Sequence, residues 1–125
     1  MEASELRIGN LVYVSDNETN IIFKEITPIN IHNLMHLTGW DKSPIDIEFE
    51  PIPLTEEWLI KFGFTEEYRS KMHSTFYTEN LSYYFWYENK RQYASFKGTD
   101  IVCQYVHQLQ NLYFALTGEE LTLKP

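Results

Sequence analysis

The chain has 125 residues, of which 43% are hydrophobic and 16% aromatic, and its formal net charge at pH 7 is −8. This length and apolar content fit one folded domain with a buried core and exclude a disordered chain. The excess of acidic residues argues against general affinity for DNA or RNA, because phosphate binding depends on clustered lysine and arginine.

A single cysteine, Cys103, excludes an intramolecular disulfide and fits a reducing compartment. The first ten residues lack the basic and apolar regions of a signal peptide, and no stretch reaches the ~18 apolar residues of a membrane span. We therefore expect one soluble domain in the cytoplasm, with no membrane contact. Its two sub-parts are predicted to be residues 1–50 and 51–125.

Strand-forming residues dominate the first sub-part, where we expect residues 6–50 to form a small, partly closed antiparallel sheet. Residues 6–15 and 21–26 are predicted to pair as a hairpin, because both are rich in strand formers and a polar turn separates them. Residues 31–37 fit a short helix or a short strand, and we favour the helix. Residues 45–50 alternate apolar and acidic side chains, which predicts a half-buried strand with an acidic outer face.

A short helix is predicted over residues 56–62. Thr55 is a good N-cap, and Glu56 and Glu57 suit the positive end of the helix dipole. Gly63 can adopt the left-handed conformation that ends a helix. Because so short a helix is marginal alone, tertiary packing is expected to hold it.

The clearest helix is predicted over residues 105–117, and Gly118 follows where a left-handed residue would close its last turn. Its apolar residues lie on one helical stripe, which we expect to pack on a sheet: Tyr105, Val106, Leu109, Leu112, Tyr113 and Leu116. The other side is uncharged, which is unusual for a solvated face: His107, Gln108, Gln110, Asn111 and Phe114. We expect the N-terminal sheet or a partner to cover it.

An antiparallel meander is predicted between the two helices. Its strands are expected at residues 76–77, 81–87, 92–96 and 101–103, after a polar loop over 65–73, and the tail 121–123 is predicted as a short edge strand. The fold class is therefore α+β: a small antiparallel N-terminal sheet, then a meander packed against a short helix and a long C-terminal helix.

The middle strand of this meander has aromatic residues on both faces. Tyr83, Phe85 and Tyr87 alternate with Tyr84 and Trp86. A sheet with one solvated face normally alternates apolar and polar residues. The pattern therefore indicates that a second layer or a partner contacts the other face.

Three stretches carry a resemblance: LRIGNLVY, PIPLTEEWLIKFGF and YVHQLQNLYFALTGEEL. With them the chain resembles a family of small uncharacterised proteins of phages, prophages and mobile elements of Bacteroidetes-type bacteria. The resemblance implies a bacterial host and a setting in which small, acidic, non-catalytic proteins bind host components, including as inhibitors of CRISPR and other defences. It assigns no functional residue.

Two pairs of potential metal ligands stand four residues apart, His32 with His36 and Cys103 with His107. A structural zinc site needs four ligands, which the pairs supply only if the fold brings them together. An ordinary histidine or cysteine at each position is the favoured interpretation. We predict neither a metal nor a cofactor.

A Cys103–His107 dyad, oriented by Asp100 or Asn111, is the best candidate for catalysis, but a cysteine beside Ile101 and Val102 is more simply a core residue. No nucleophile elbow, metalloprotease, P-loop or dinucleotide motif is present. We expect a protein that is not an enzyme.

Residues 76–97 combine aromatic strands with basic residues, as in platforms that bind single-stranded RNA by base stacking. The candidate residues are Tyr84, Trp86, Lys90, Arg91 and Lys97. RNA binding is the alternative function.

Protein binding is the favoured function. Nine tyrosines and three tryptophans exceed what a core of this size needs, and both residue types are enriched in interface hot spots. Asp46, Glu48 and Glu50 could face a basic partner. We expect the partner to be a host protein or ribonucleoprotein, with self-association left open.

Overall fold

The computed structural model describes residues 6–16, 25–31, 47–79 and 81–124. The strands are β1 (Leu11–Asp16), β2 (Glu25–Pro28), β3 (Ile47–Glu50), β4 (Thr65–Arg69), β5 (His73–Thr78), β6 (Leu81–Trp86), β7 (Arg91–Phe96) and β8 (Thr99–Val102). The helices are α1 (Glu56–Lys61) and α2 (Val106–Thr117). Neither of them is long and apolar enough to cross a membrane.

The predicted α+β class is confirmed. The described strands form two antiparallel sheets, a three-stranded one in the order β2-β1-β3 and a five-stranded one in the order β4-β5-β6-β7-β8. Both predicted helices are present within one residue of their predicted ends. The predicted helix at 31–37 lies outside the described residues apart from its first residue, as do the first four residues of the strand predicted at 21–26.

The first strand begins later than predicted. Gly9 has a φ of +94°, and the side chain of Asn10 accepts a hydrogen bond of 2.6 Å from the backbone N–H of Arg7. These residues form a turn, so β1 starts only at Leu11 and pairs with β2 and β3 from there.

The loop predicted over residues 65–73 is wrong, because this segment forms β4 and the first residue of β5. All five side chains of β4 are exposed, so the strand has no apolar alternation that a sequence pattern could detect. Pairing with β5 defines it instead, and the register shifts between Glu66 and Tyr68 at a bulge.

The C-terminal tail is not the edge strand that was predicted over residues 121–123. Leu121 is buried in the core, and the backbone N–H of Lys124 donates a 2.7 Å hydrogen bond to the carbonyl of Lys61. The tail therefore closes over the C-terminal end of α1 and pairs with no strand.

The main core lies between the five-stranded sheet and the two helices. One row of residues crosses the sheet with its side chains buried, Phe76 opposite Tyr83 and Tyr83 opposite Ala94. The helices contribute buried side chains to this core: Trp58 and Leu59 from α1, and Val106 and Leu109 from the predicted stripe of α2. The half-buried Leu112, Tyr113 and Leu116 extend the stripe of α2.

The segment that precedes β1 covers the middle of the uncharged side of α2, at Gln110 and Asn111, while Phe114 is 39% exposed. The buried side chain of Gln110 accepts a 2.8 Å hydrogen bond from the N–H of Leu11 and donates one of 3.4 Å to the carbonyl of Gly9. Asn111 accepts hydrogen bonds from the side chains of Arg7 and Asn10 at 2.8 and 2.9 Å. The amides of Gln110 and Asn111 thus bind backbone and side-chain groups of this segment, while that of Gln108 accepts from the N–H groups of Gln104 and Tyr105 at the start of the helix.

The segment before α1 contacts the other end of α2. Val106 donates a 2.9 Å backbone hydrogen bond to Ile52, and Leu54 donates one of the same length to Gln104. The three stretches that carry the resemblance therefore converge on α2 and its start.

Replacing Gln110 with alanine is expected to lower the free energy of unfolding by about 1–3 kcal/mol, because the partly buried N–H of Leu11 loses its acceptor and a buried side chain is removed. Gln104→Ala is the matched control, since that side chain is exposed on the same segment of chain. Chemical denaturation measures both. Equal values for the two variants would contradict the assigned role of Gln110.

Candidate binding surface

The candidate surface is the face of the five-stranded sheet that points away from the helices. Successive side chains of a strand point to opposite faces, so the buried Tyr83 and Ala94 place Tyr84, Trp86 and Tyr93 on this other face. The pairing register of β4, β5 and β6 places side chains of β4 and β5 on the same face. We define the outer aromatic face as Tyr68, His73, Tyr77, Tyr84, Trp86 and Tyr93.

Five of the six rings of this face, those other than Tyr77, contact one another across four strands. The centroid of the His73 ring lies 5.0 Å from that of Tyr68 and 4.4 Å from that of Trp86. Tyr84 and Tyr93 stack at 5.3 Å, and the indole N–H of Trp86 donates a 3.1 Å hydrogen bond to the hydroxyl of Tyr93. Each ring therefore limits the rotamers of the next, and the face presents a preorganised surface.

Large side chains at the margins of this face remain open to solvent. Tyr68 is 52% exposed, Tyr77 is 44% exposed and Val102 of β8 is 73% exposed. Met72, in the turn between β4 and β5, is 64% exposed. A continuous surface of exposed apolar and aromatic groups is typical of an interaction site.

The predicted basic residues fall into two places. Arg91 lies opposite Trp86 with its guanidinium 5.4 Å from the ring centroid of Tyr93, and Lys90 precedes it in the β6–β7 turn. Lys97 lies in the β7–β8 turn, at the other end of β7, with its ammonium 5.3 Å from the ring of Phe96. The structure thus brings Tyr84, Trp86 and Arg91 together and places Lys97 a strand length away.

Two of the predicted acidic residues, Glu48 and Glu50, belong to the other sheet. Glu50 is half-buried at the end of β3, opposite Tyr13, and Glu48 lies two residues earlier in that strand. Asp46 lies outside the described residues.

A polar cluster joins α1 to one edge of the five-stranded sheet. The carboxylate of Glu56 accepts hydrogen bonds from Arg69 at 2.5 Å, from the hydroxyl of Tyr87 at 2.7 Å and from Ser74 at 2.8 Å. Arg69 also bonds the carboxylate of Glu66. Every member of the cluster is thus engaged with another member, which indicates that it holds helix and sheet together.

Two opposing effects set the pKa of Glu56. Partial burial raises it, and the hydrogen bonds from Arg69, Tyr87 and Ser74, with the charge of Arg69, lower it by more. The net result is a pKa below the ordinary 4.5. The carboxylate is therefore charged at neutral pH, as the hydrogen bonds require.

Cys103 lies in a buried network rather than at a reactive position. The hydroxyl of Tyr83 donates to the carbonyl of Cys103 and accepts a 2.9 Å hydrogen bond from Gln92, which also donates to the carbonyl of Leu54. Burial raises the pKa of the Cys103 thiol to about 12. A thiolate is therefore scarce at neutral pH, and the dyad with His107 lacks the activated nucleophile it would need.

The zinc hypothesis receives no support from the part of the chain that the structure describes. No group of three or more His, Cys, Asp or Glu residues there could hold a metal ion. His32 and His36 lie outside that part.

Sequence reasoning missed Tyr68 and His73, because both fall in the segment that was predicted to be a loop. A usable signal was Ser70, whose hydroxyl accepts from the N–H groups of Met72 and His73 in a tight turn. A serine that begins a turn between two short polar segments is typical of a hairpin with solvated strands.

Comparisons with protein families, with curated proteins and with solved structures found no match for this chain.

Glu56→Gln is expected to lower the free energy of unfolding by about 1 kcal/mol at pH 7, because a charged acceptor of three hydrogen bonds is lost. The folded-state pKa is depressed, so this stabilisation is present above pH 4.5 and is lost as the pH falls through the folded pKa. Denaturation at several pH values measures it. Glu57→Gln, which removes an exposed carboxylate that is paired only with Lys61, is the control. A loss of unfolding free energy in Glu56→Gln that stays the same at every pH would contradict the lowered pKa of Glu56.

Alkylation of Cys103 by iodoacetamide at pH 8 is expected to be at least ~100-fold slower in the native protein than in denaturant, because the thiol is buried and its pKa is raised. Mass spectrometry over time measures the rates. Comparable rates in both conditions would show an accessible, activated thiol and reopen the question of catalysis.

Proposed function

We propose that this chain is a non-catalytic binding protein whose outer aromatic face contacts another protein. One observation carries the proposal: mutually stacked rings cross four strands on the face of the sheet that the helices leave open. Tyrosine and tryptophan provide large contact areas with few rotatable bonds, which is why they dominate interface hot spots.

The arrangement of the rings favours a protein partner over RNA. Base stacking needs ring planes that face the solvent, and one plane of each of four rings is already occupied, because Tyr84 stacks on Tyr93 and Trp86 stacks on His73. The indole N–H of Trp86 is also engaged, by the hydroxyl of Tyr93. What such a surface offers to a partner is ring edges, hydroxyl groups and exposed apolar margins.

The distribution of basic residues also favours a protein partner over RNA. Of the predicted cations, Arg91 adjoins the outer aromatic face and Lys90 precedes it, while Lys97 lies at the far end of β7. One or two cations on a chain with a net charge of −8 give little attraction to a polyanion. RNA binding through residues 76–97 is therefore the second candidate function, and the pull-down described below distinguishes it from protein binding.

The two groups of residues that could take part in catalysis make structural contacts instead. Glu56 and Arg69 tie α1 to the sheet, and Cys103 is buried beside Tyr83. These contacts support a role in binding rather than catalysis.

The resemblance to phage and mobile-element proteins supplies the class of partner that we propose. It is a host protein or ribonucleoprotein in the cytoplasm of the bacterial host, and inhibition of a defence system such as CRISPR is the proposed consequence. Asp46, Glu48 and Glu50 would add an acidic site for a basic partner, separate from the outer aromatic face.

A pull-down from host lysate with the tagged full chain is expected to retain a specific protein or ribonucleoprotein. The double variant Tyr68→Ala and Tyr77→Ala is expected to weaken its capture at least about tenfold, because both rings are exposed contact groups. Trp86→Ala is expected to do the same. Circular dichroism and thermal unfolding check that each variant is folded.

The matched control is the double variant Ile60→Ala and Leu123→Ala, which removes exposed apolar groups from α1 and the tail. It should leave capture unchanged. Nuclease treatment separates the alternatives, since loss of all capture on RNA removal would favour the RNA-binding function. Absence of any specific partner, or equal losses in both double variants, would overturn the proposal.

A further inference from the structure

The free edges of the two sheets are protected to different degrees. Beyond the edge strand β4 no described strand continues the sheet, and β4 has a bulge and the charged residues Glu66, Glu67 and Arg69. In the small sheet, β2 ends in Pro28 and β3 is followed by Pro51. Bulges, charges and prolines are the devices that stop edge strands from pairing with other chains.

The edge strand β8 has almost none of these devices. Its sequence is Thr-Asp-Ile-Val, its register with β7 is regular over all four residues, and Val102 is 73% exposed. Among the described strands, none pairs with its free side. An unprotected apolar edge in a chain that protects its other edges indicates a pairing site.

The turn before β8 determines which backbone groups face outward. Lys97 and Gly98, with φ values of 49° and 83°, form a two-residue turn of the type I′ kind. Residues that flank such a turn, here Phe96 and Thr99, form a hydrogen-bonded pair. Because hydrogen-bonded and non-hydrogen-bonded pairs alternate, Ile101 also bonds to β7. The N–H and C=O groups of Asp100 and Val102 therefore point to the free side.

We propose that β8 pairs antiparallel with β8 of a second copy of this chain, around a twofold axis at Ile101. Asp100 and Val102 of each copy then form hydrogen-bonded pairs with Val102 and Asp100 of the other, which gives four backbone hydrogen bonds. The two Ile101 side chains lie opposite each other on the inner face. The two five-stranded sheets become one sheet of ten strands.

The two neighbouring registers of this β8–β8 pairing are excluded, one by a side-chain group and the other by backbone groups that are already hydrogen-bonded. An axis at Asp100 would set two exposed carboxylates opposite each other. An axis at Val102 would need the backbone of Gln104, whose N–H donates to Gln108 and whose carbonyl accepts from Leu54. In the register centred on Ile101 each Asp100 faces a valine instead of a like charge. The strand is therefore complementary to itself in this register, which favours a second copy of the chain as its partner.

The dimer should be weak, because two four-residue strands bury much less than the ~1,600 Å² of a standard interface. Each copy has a net charge of −8, so repulsion opposes association at low salt. Sedimentation equilibrium of the full chain is expected to show twice the monomer mass as the concentration rises from about 10 µM to about 1 mM. Raising the salt to about 1 M, where the screening length is about 3 Å, should strengthen the dimer.

Val102→Lys is expected to raise the dimer dissociation constant at least about tenfold while leaving the monomer folded, since that side chain is exposed. Thr65→Lys places the same charge at an exposed position of the opposite edge strand, β4, and serves as the control. A chain that remains monomeric throughout the concentration range, or a dimer that Val102→Lys leaves intact, overturns the proposal.

Hydrogen exchange locates the contact without any variant. The amides of Asp100 and Val102 should exchange more slowly as the concentration rises, while those of Thr99 and Ile101 should be protected at every concentration. Protection of Asp100 and Val102 only after a different protein is added would overturn the second copy as occupant. Failure of this proposal is distinguishable from failure of the proposed function, because the pull-down variants at Tyr68, Tyr77 and Trp86 leave Val102 and the backbone edge of β8 unchanged.

Discussion

The burial of α2 on two sides is the constraint on which the rest of the structure depends. One side is apolar and packs on the sheet through Val106 and Leu109. The other carries the amides of Gln110 and Asn111, and the buried Gln110 side chain hydrogen-bonds the partly buried backbone groups of Gly9 and Leu11. Because buried polar groups are costly when unmatched, this side accepts only a chain segment with the right pattern of donors and acceptors. The helix therefore fixes where the three-stranded sheet joins the five-stranded one.

This arrangement also determines which surface remains available for binding. Both helices lie on the same face of the five-stranded sheet, so its buried row of Phe76, Tyr83 and Ala94 has an opposite face that neither helix covers. The aromatic residues there stabilise one another through stacking and one hydrogen bond. A rigid surface of this kind loses little conformational entropy on binding, which is the usual advantage of aromatic contact residues.

Local patterns predicted the elements whose burial is periodic, and failed where the determining contacts are distant. The stripe with Leu109 and Leu112 predicted α2, and the alternation along β6 placed Tyr84 and Trp86 on one face. Strand β4 has five exposed side chains, so only its pairing with β5 reveals it. For the same reason Tyr68 and His73 of the candidate surface were missed, while Tyr84, Trp86 and Arg91 were found within a single hairpin. Leu121 was taken for a strand residue because nothing nearby in sequence indicates that it enters the core.

The two turns that flank β7 have lysines where the backbone favours other residues. Lys90 and Lys97 have φ values of 54° and 49°, in the left-handed region that costs a residue with a Cβ atom about 1–2 kcal/mol. Glycine or asparagine would fit both positions with less strain. The sequence thus gives up stability at both ends of one strand and keeps a positive charge at each tip. In a chain with a net charge of −8, the two turns therefore place positive charges at opposite ends of β7.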